Sequence, residues 1–337
     1  MADIAHRAGV TKAAVSFALN GKPGVSEATR RRIVAIAEEI GWQPNSAARA
    51  LSDGRASAFG LVMDRQARSL GMEPFFMQLI SGVQKELSAK GIALLFTLAE
   101  GTEAQVTVYR DWWASRRVDG VLLMDVQVDD PRVAAVEELQ LPAVVIGPPV
   151  AAGRLPAVWN DENDGVLLAV EHLAALGHRR IARVSGPVSM WHTQLRTAAV
   201  ESLTKELGLR VTTVEADYSI SMGAEAALAL LDGPDRPTAI LFDNDIMGVS
   251  ALSAIQQRGI AVPAEVSLLA WEDSPICELV RPGLTALRRD IADYGAKAAH
   301  QLCEVVAGLP VRHLRVAGPT LIERGSTTAV TEVRPCS

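Results

Sequence analysis

Five residues near the start of the chain, Lys12, Ala13, Ser16, Phe17 and Asn20, fall on one face of a short helical segment. An ammonium, a methyl, a hydroxyl, a ring and an amide on neighbouring turns make a short-chained, lightly basic surface. Such a surface suits a helix that enters the major groove of DNA, where base edges present donors, acceptors and thymine methyls. Catalytic motifs are absent by comparison. The chain has no Gly-x-x-x-x-Gly-Lys-Ser/Thr loop, no Gly-x-Ser-x-Gly elbow and no His-Glu-x-x-His. Its six histidines are scattered, and His172 and His178 are separated by a helix end. The three cysteines, Cys277, Cys303 and Cys336, are odd in number and far apart, so no disulfide or metal framework is expected. We expect no metal, no cofactor and no catalytic residue.

The polar face needs a scaffold, and the flanking residues supply one. Asp3 to Asn20 reads as two short helices around a tight turn. Ile4 and Ala5 face inward from the first, Gly9 supplies positive φ at the turn, and Thr11 offers an N-cap hydroxyl to the second. Val15, Ala18 and Leu19 recur at i, i+3 and i+4, so they point to a core and leave the five residues outside. Val25 to Trp42 reads as a third helix. Ser26 caps it, Ile33, Ile36, Ala37 and Ile40 form its buried stripe, and Gly41 stops it.

Charge is divided along the chain. The 337 residues carry a net charge of −6. Residues 1–55 hold eight Lys and Arg against five Asp and Glu; the remainder holds 25 against 34. A basic head on an acidic body fits a nucleic-acid-binding module joined to something that does not bind nucleic acid. With 49% hydrophobic and only 4% aromatic residues, the cores must be mainly aliphatic. The N-terminus lacks the apolar core of a leader peptide, and no apolar run reaches the ~18 residues of a membrane span. A cytoplasmic location is expected.

After the polar joint 52–57, apolar strands alternate with amphipathic helices. The strands are Ala58–Met63, Ile92–Phe96, Gly120–Met124 and Ala143–Ile146, with helices over 75–89 and 104–116. The rhythm restarts with strands at Ala157–Trp159, Ile181–Val184, Ala239–Phe242 and Val266–Ala270, and helices over 165–176, 194–208, 221–231 and 246–258. Thr285–Leu287, the helix Ile291–Val306 and Leu314–Val316 close the series. Near-continuous apolar strands separated by helices indicate α/β lobes with parallel sheets covered on both faces. Two such lobes would face each other across a cleft at the carboxyl ends of their strands.

The head carries Asp3-Ile-Ala, Ala8-Gly-Val-Thr, Leu19-Asn-Gly, Val25-Ser-Glu-x-Thr-Arg, Gly41-Trp-x-Pro-Asn and Ala47-Ala-Arg-x-Leu. The body carries Pro74-Phe-Phe, Arg117-Val-Asp-Gly, Leu176-Gly-His-Arg-Arg-Ile, Asn244-Asp-Ile-Met and Leu321-Ile-Glu-Arg. With these motifs nearly the whole chain resembles the LacI/GalR family of transcriptional regulators. The resemblance implies an all-α helix-turn-helix head over 1–44, a hinge helix and linker over 45–56, and a two-lobed periplasmic-binding-protein-like body over 57–330. It divides the body into a first lobe of 57–155 plus 285–312 and a second of 156–284 plus 313–330. It further implies a homodimeric repressor, without enzyme activity, that binds a palindromic double-stranded operator under control of a sugar or related metabolite.

On matched positions the resemblance assigns DNA contact to Thr11, Lys12, Ala13, Ser16, Phe17, Asn20, Asn45, Ala48, Arg49 and Leu51. It assigns effector contact to Phe75, Phe76, Asp161, Arg196, Asn244, Glu272, Asp273 and Arg289. Some positions depart from the family. Phe17 stands where most relatives have arginine, Ala199 where glycine is usual, Glu272 where aspartate is usual, and Arg289 where a neutral amide is common. The chain also begins already within the first helix, so either that helix is short or Met1 is not the natural start. Three other readings stay open: a regulator answering to a partner protein, a solute-binding protein, and an enzyme built on the cleft.

The resemblance makes Leu51 a wedge in the minor groove, next to a small Ala48 that permits close approach. Leu51→Ala should lower specific operator affinity in a fluorescence-anisotropy titration and leave folding and ligand binding unchanged. Equal affinity in the two proteins would refute the wedge.

Overall fold

The computed structural model describes residues 1–19, 21–42, 55–64 and 73–330. It divides into two compact units, Met1–Ala56 and Ser57–Ser337.

The first unit contains α1 (Ala2–Ala8), α2 (Lys12–Leu19) and α3 (Glu27–Glu39). Gly9 ends α1 at φ 61°, where a Cβ would be strained. The Ala14 amide donates to Thr11 Oγ1 at 3.2 Å, and the Thr29 amide donates to Ser26 Oγ at 3.3 Å. Both N-caps expected from the sequence are therefore present. Ile4, Ala8, Val15, Ala18, Ile33 and Ala37 make the buried core. Arg30, on α3, donates to the carbonyls of Ala18 and Lys22, each at 2.8 Å. It thereby ties α3 to the last turn of α2 and to the turn that follows it.

In the second unit the chain runs β1 (Ala58–Met63), α4 (Pro74–Ser88), β2 (Ala93–Leu98), α5 (Gly101–Ala114), β3 (Gly120–Met124), α6 (Pro131–Glu138), β4 (Ala143–Ile146) and β5 (Ala157–Trp159). It continues through α7 (Glu162–Ala175), β6 (Arg180–Ser185), α8 (Trp191–Leu207), β7 (Arg210–Glu215), α9 (Ile220–Asp232), β8 (Ala239–Phe242), α10 (Asp245–Gln257) and β9 (Ser267–Ala270). Then come α11 (Pro275–Leu279), β10 (Thr285–Arg288), α12 (Ile291–Val306), β11 (Leu314–Arg315) and β12 (Thr320–Ile322). Among the described residues there are two six-stranded sheets, ordered β11-β5-β4-β3-β1-β2 and β12-β10-β9-β8-β6-β7. Every ladder is parallel except β10 with β12. Each sheet has an apolar cluster on both faces, and β3, β4, β8 and β9 are buried throughout.

The strand pairing corrects the expected lobe boundaries. β5 was expected in the second lobe but extends the first sheet, pairing with β4 and β11. β10 was expected in the first lobe but lies beside β9 in the second. β11 was expected in the second and joins the first. The chain therefore passes between lobes after β5, after β10 and after β11. A strand of two to four residues looks the same at either sheet edge, and only its ladder partner decides. The sequence reading also omitted α6, β7, α11 and β12. β7 is an edge strand with four of its six residues exposed, so it lacks the continuous apolar run that marked the others.

Helix α12 carries the buried stripe Ile291, Tyr294, Ala298, Ala299 and Leu302 and lies against α4. The two backbones touch. A methyl on Gly82 would run into the Ala292 carbonyl, and one on Gly295 into the Leu79 carbonyl. Gly295→Ala should therefore push the helices apart and lower stability by about 1–3 kcal/mol or more, read from the urea midpoint. An unchanged midpoint would show that this contact is not close-packed in solution.

Candidate functional site

Two surfaces collect the residues singled out from the sequence. On α2, Lys12 and Ala13 are exposed, as is the capping Thr11, and Ser16 is half-buried. Phe17 is 41% exposed, so its ring does not enter the core of the head. One ring edge lies close to the backbone of Gly24, near enough that a Cβ there would sit 3.3 Å from Phe17 Cδ2. The face of α2 is thus the mixed polar and apolar surface expected. Asn20, Asn45, Ala48, Arg49 and Leu51 lie outside the described residues.

The second surface is a cleft in the body of about 830 Å3, part of it open to solvent. It lies where the carboxyl ends of both sheets meet, because most of its side chains follow directly on strands. Asn160 and Glu162 follow β5, Asp243 and Asn244 follow β8, Glu272 follows β9, and Arg289 follows β10. α4 contributes Phe75 and Phe76, α8 contributes His192 and Arg196, and α12 contributes Tyr294. Of the eight expected effector residues, six come together here: Phe75, Phe76, Arg196, Asn244, Glu272 and Arg289.

Asp161 and Asp273 do not line this cleft. Asp161 caps α7, accepting the Asn163 amide at 3.0 Å, while its neighbours Asn160 and Glu162 face the cavity. The helix start turns the middle residue of that triplet aside. Asp273 borders a small adjoining recess, but its oxygens pair with Arg288 at 2.6 Å and Arg324 at 2.7 Å. Asn244 does line the cleft, yet both ends of its amide are engaged. Oδ1 accepts from Met247 N–H at 2.9 Å, capping α10, and Nδ2 donates to the Tyr218 carbonyl at 3.3 Å. Asp245, the first residue of α10, is buried inside the first turn.

The floor of the cleft is a chain of alternating charges. Arg196 Nε donates to Glu162 at 2.7 Å, and its Nη1 lies 3.6 Å from Asp243. Asp243 accepts from Arg183 at 2.8 and 2.6 Å, and Arg183 is fully buried on β6. The Arg196 guanidinium lies 4.1 Å from the centre of the Trp271 ring. Trp271 is itself 1% exposed, so it is not an open stacking face for a ligand. Burial works to raise both carboxyls, but Arg196 beside Glu162, and Arg183 with Arg196 beside Asp243, hold each below its usual range.

A second pair lies nearer the mouth. Arg289 Nη2 donates to Glu272 at 2.8 Å and Nη1 donates to Asn160 Oδ1 at 3.2 Å. Its guanidinium carbon is 5.9 Å from the centre of the Phe75 ring, and its buried Nε has no hydrogen-bond acceptor. Glu272 is pushed up to about 7 by burial, which Arg289 only partly opposes. His192 is pushed down to about 4, first by burial and then by Arg196, and its Nε2 lies 2.7 Å from the Tyr218 hydroxyl. Asn160, Glu162, Asp243, His192 and Tyr218 were missed from the sequence. The polar runs immediately after β5 and β8 were the available signal; nothing local marked His192 or Tyr218.

A helix-turn-helix head and a two-lobed α/β body with a polar interlobe cleft define a class: a DNA-reading module carried with a ligand-binding module. Comparison with known proteins narrows this. Residues 1–45 match the profile of bacterial regulatory proteins of the lacI family, and residues 170–327 match that of a periplasmic binding protein-like domain. The chain is 31% identical to the HTH-type transcriptional regulator MalR of Streptomyces coelicolor, covering 98% of this chain and 96% of that one. It is 27% identical to the ribose operon repressor of Escherichia coli, covering 97% and 99%. Among solved structures it is similar to the lac repressor dimer bound to operator and the anti-inducer ONPF, with TM-score 0.84, 26% identity and coverage of 97% and 98%. It is also similar to a CelR–cellobiose complex, with TM-score 0.74, 28% identity and coverage of 96% and 98%. The chain belongs to the LacI family of bacterial regulatory proteins.

The raised Glu272 carboxyl has a consequence for stability. Between its ordinary value of 4.5 and about 7, the folded protein holds a proton that the unfolded chain has released. Stability from this group is complete below the lower value and is lost as pH rises through the upper one. In urea titrations, the parent should lose stability relative to Glu272→Gln between pH 5 and pH 8. A constant difference across that window would show that Glu272 titrates normally.

Proposed function

We propose that this protein is a homodimeric transcriptional repressor whose operator affinity is set by a small molecule, a sugar or related metabolite, bound in the interlobe cleft. The observation that carries the reading is the cleft itself. Aromatic rings, amides and paired charges from both lobes converge in one cavity, within a chain whose head presents an exposed helix-turn-helix face. A ligand touching both lobes binds one interlobe arrangement better than another, and that difference is the free energy available to shift a linked DNA equilibrium. The names of the relatives add support: a ribose operon repressor, a CelR–cellobiose complex and a lac repressor dimer on its operator. The head argues against a solute-binding protein. The paired arginines and the neutral His192–Tyr218 couple favour a binding cleft over a catalytic one. Among the described residues no helix is long and apolar enough to cross a membrane, in keeping with a cytoplasmic regulator.

Selection from random duplexes with the full chain should yield a near-palindromic site with half-sites about one helical turn apart or closer. Affinity should fall steeply with salt, since Lys, Arg and backbone amides contact phosphates. Adding a sugar that raises the melting temperature of the protein should change operator affinity. A footprint over one asymmetric half-site, bound by monomer, would sink the dimeric reading. A stabilising sugar without effect on DNA affinity would sink the effector reading.

A further inference from the structure

The cleft is bounded on one side by the three passages of chain between the lobes, after β5, β10 and β11. On another side the lobes meet a second time. The loop after β3 and the start of α8 lie antiparallel, with Gln127 opposite Met190. The Val128 amide donates to the Ser189 carbonyl at 2.9 Å, and the Trp191 amide donates to the Val126 carbonyl at 3.1 Å. These bonds join the lobes, because β3 belongs to the first sheet and α8 follows β6 of the second. β3 is two strands from β5 and β6 is three from β10, so at about 4.8 Å per strand the junction lies roughly 10–15 Å to the side of the passages. Val126 and His192 line the cleft, which makes the junction one of its walls.

Trp191 carries the contact beyond the backbone. Its side chain packs against the apolar cluster around Val62, Leu123, Val126 and Val145, and every other described member of that cluster belongs to the first lobe. Each of the two meeting segments is also held in shape from within its own lobe. In the first, Asp130 accepts from the Gln127 amide at 2.9 Å and pairs with the buried Arg132 at 2.6 Å. Arg132 in turn donates to the Asp125 carbonyl and to Gln105, each at 2.8 Å. This buried ion pair takes no part in the cleft floor; it fixes the turn from 125 to 130. In the second lobe Glu215 accepts from the Val188 amide at 2.9 Å, and Gln194 Nε2 donates to the Val188 carbonyl at 3.0 Å. Two edges already ordered meet with little further loss of conformational freedom.

We infer that residues 126–128 and 189–191 form a clasp, pinned by Trp191, that holds the two lobes together across the cleft without help from a ligand. Lobes joined by passages on one side and by this clasp on another do not swing apart until the clasp opens. Trp191 thereby sets the balance between closed and open lobes. The clasp consists of protein groups alone, so it goes beyond the effector reading above and stands whichever ligand the cleft takes.

Hydrogen exchange of the full chain in buffer alone, resolved to single amides, tests this. The Val128 and Trp191 amides should exchange at least about 100-fold more slowly than in an unstructured peptide. Trp191→Ala should speed exchange at Val128 by about tenfold or more while Leu122 of β3 and Ala182 of β6 stay protected, which separates opening of the clasp from unfolding. Trp191→Phe should restore most of the protection, and Trp191→Leu replaces Trp191→Ala if the latter does not fold. A second measurement leaves the pin intact. The two bonds flank Gln127 and Met190 as a non-hydrogen-bonded pair, for which the Cα separation is about 4.5 Å, within reach of a disulfide. The double variant Gln127→Cys, Met190→Cys should therefore form a 127–190 disulfide under mild oxidation, mapped by mass spectrometry. Val128 and Trp191 amides that exchange in the parent like those of an unstructured peptide overturn the clasp. Equal Val128 protection in the parent and the folded alanine or leucine variant also overturns it, as does a folded double variant that forms no 127–190 disulfide.

Discussion

The cleft is built on a buried line of four charges, Glu162, Arg196, Asp243 and Arg183. Charges removed from water are tolerated only when each has a partner of opposite sign and good hydrogen-bond geometry. That requirement ties four separate elements together: the start of α7, the middle of α8, the end of β8 and the core of β6. It holds Arg196 over the buried Trp271 ring and gives the second-lobe floor its polar character.

Against this fixed floor, the Glu272–Arg289 pair is less constrained. Arg289 stands just after β10, beside one of the three passages of chain between the lobes, and Asn160, its other partner, stands beside another. Its contacts thus reach the second lobe through Glu272, an interlobe passage through Asn160, and the first lobe through Phe75. A ligand that competes for Arg289 acts on a residue touching each part whose relative position could change. Of the four departures from the family's sequence pattern, two, Glu272 and Arg289, are hydrogen-bonded to one another at 2.8 Å, so those two form one coupled change.

The head shows a similar economy. Its core is small, and two capping hydroxyls, a left-handed glycine and one arginine fix its turns. Arg30 would pass in the sequence for one more basic residue of a DNA-facing cluster. It is instead bound to the carbonyls of Ala18, in the last turn of α2, and Lys22, just beyond it, while Lys12, Ala13 and Phe17 are exposed.

Much of this was already determined by the sequence. Helix periodicity identified Val15 and Ala18 as inward and Phe17 as outward, because a 3.6-residue repeat forces that division wherever a core exists. Apolar runs located β1, β3, β4 and β8 to the residue, since strands buried on both faces admit no polar interruption. What the sequence did not contain was pairing. Whether β5, β10 and β11 extend one sheet or the other depends on partners up to more than a hundred residues away, and strands this short carry no mark of their neighbour. The site divides in the same way. Arg196 and Glu272 were legible as chemistry. Their engagement with Glu162 and Arg289, the turning aside of Asp161, and the approach of His192 to Tyr218 arose only when the tertiary fold brought separate strand ends together and burial made each charge find a partner.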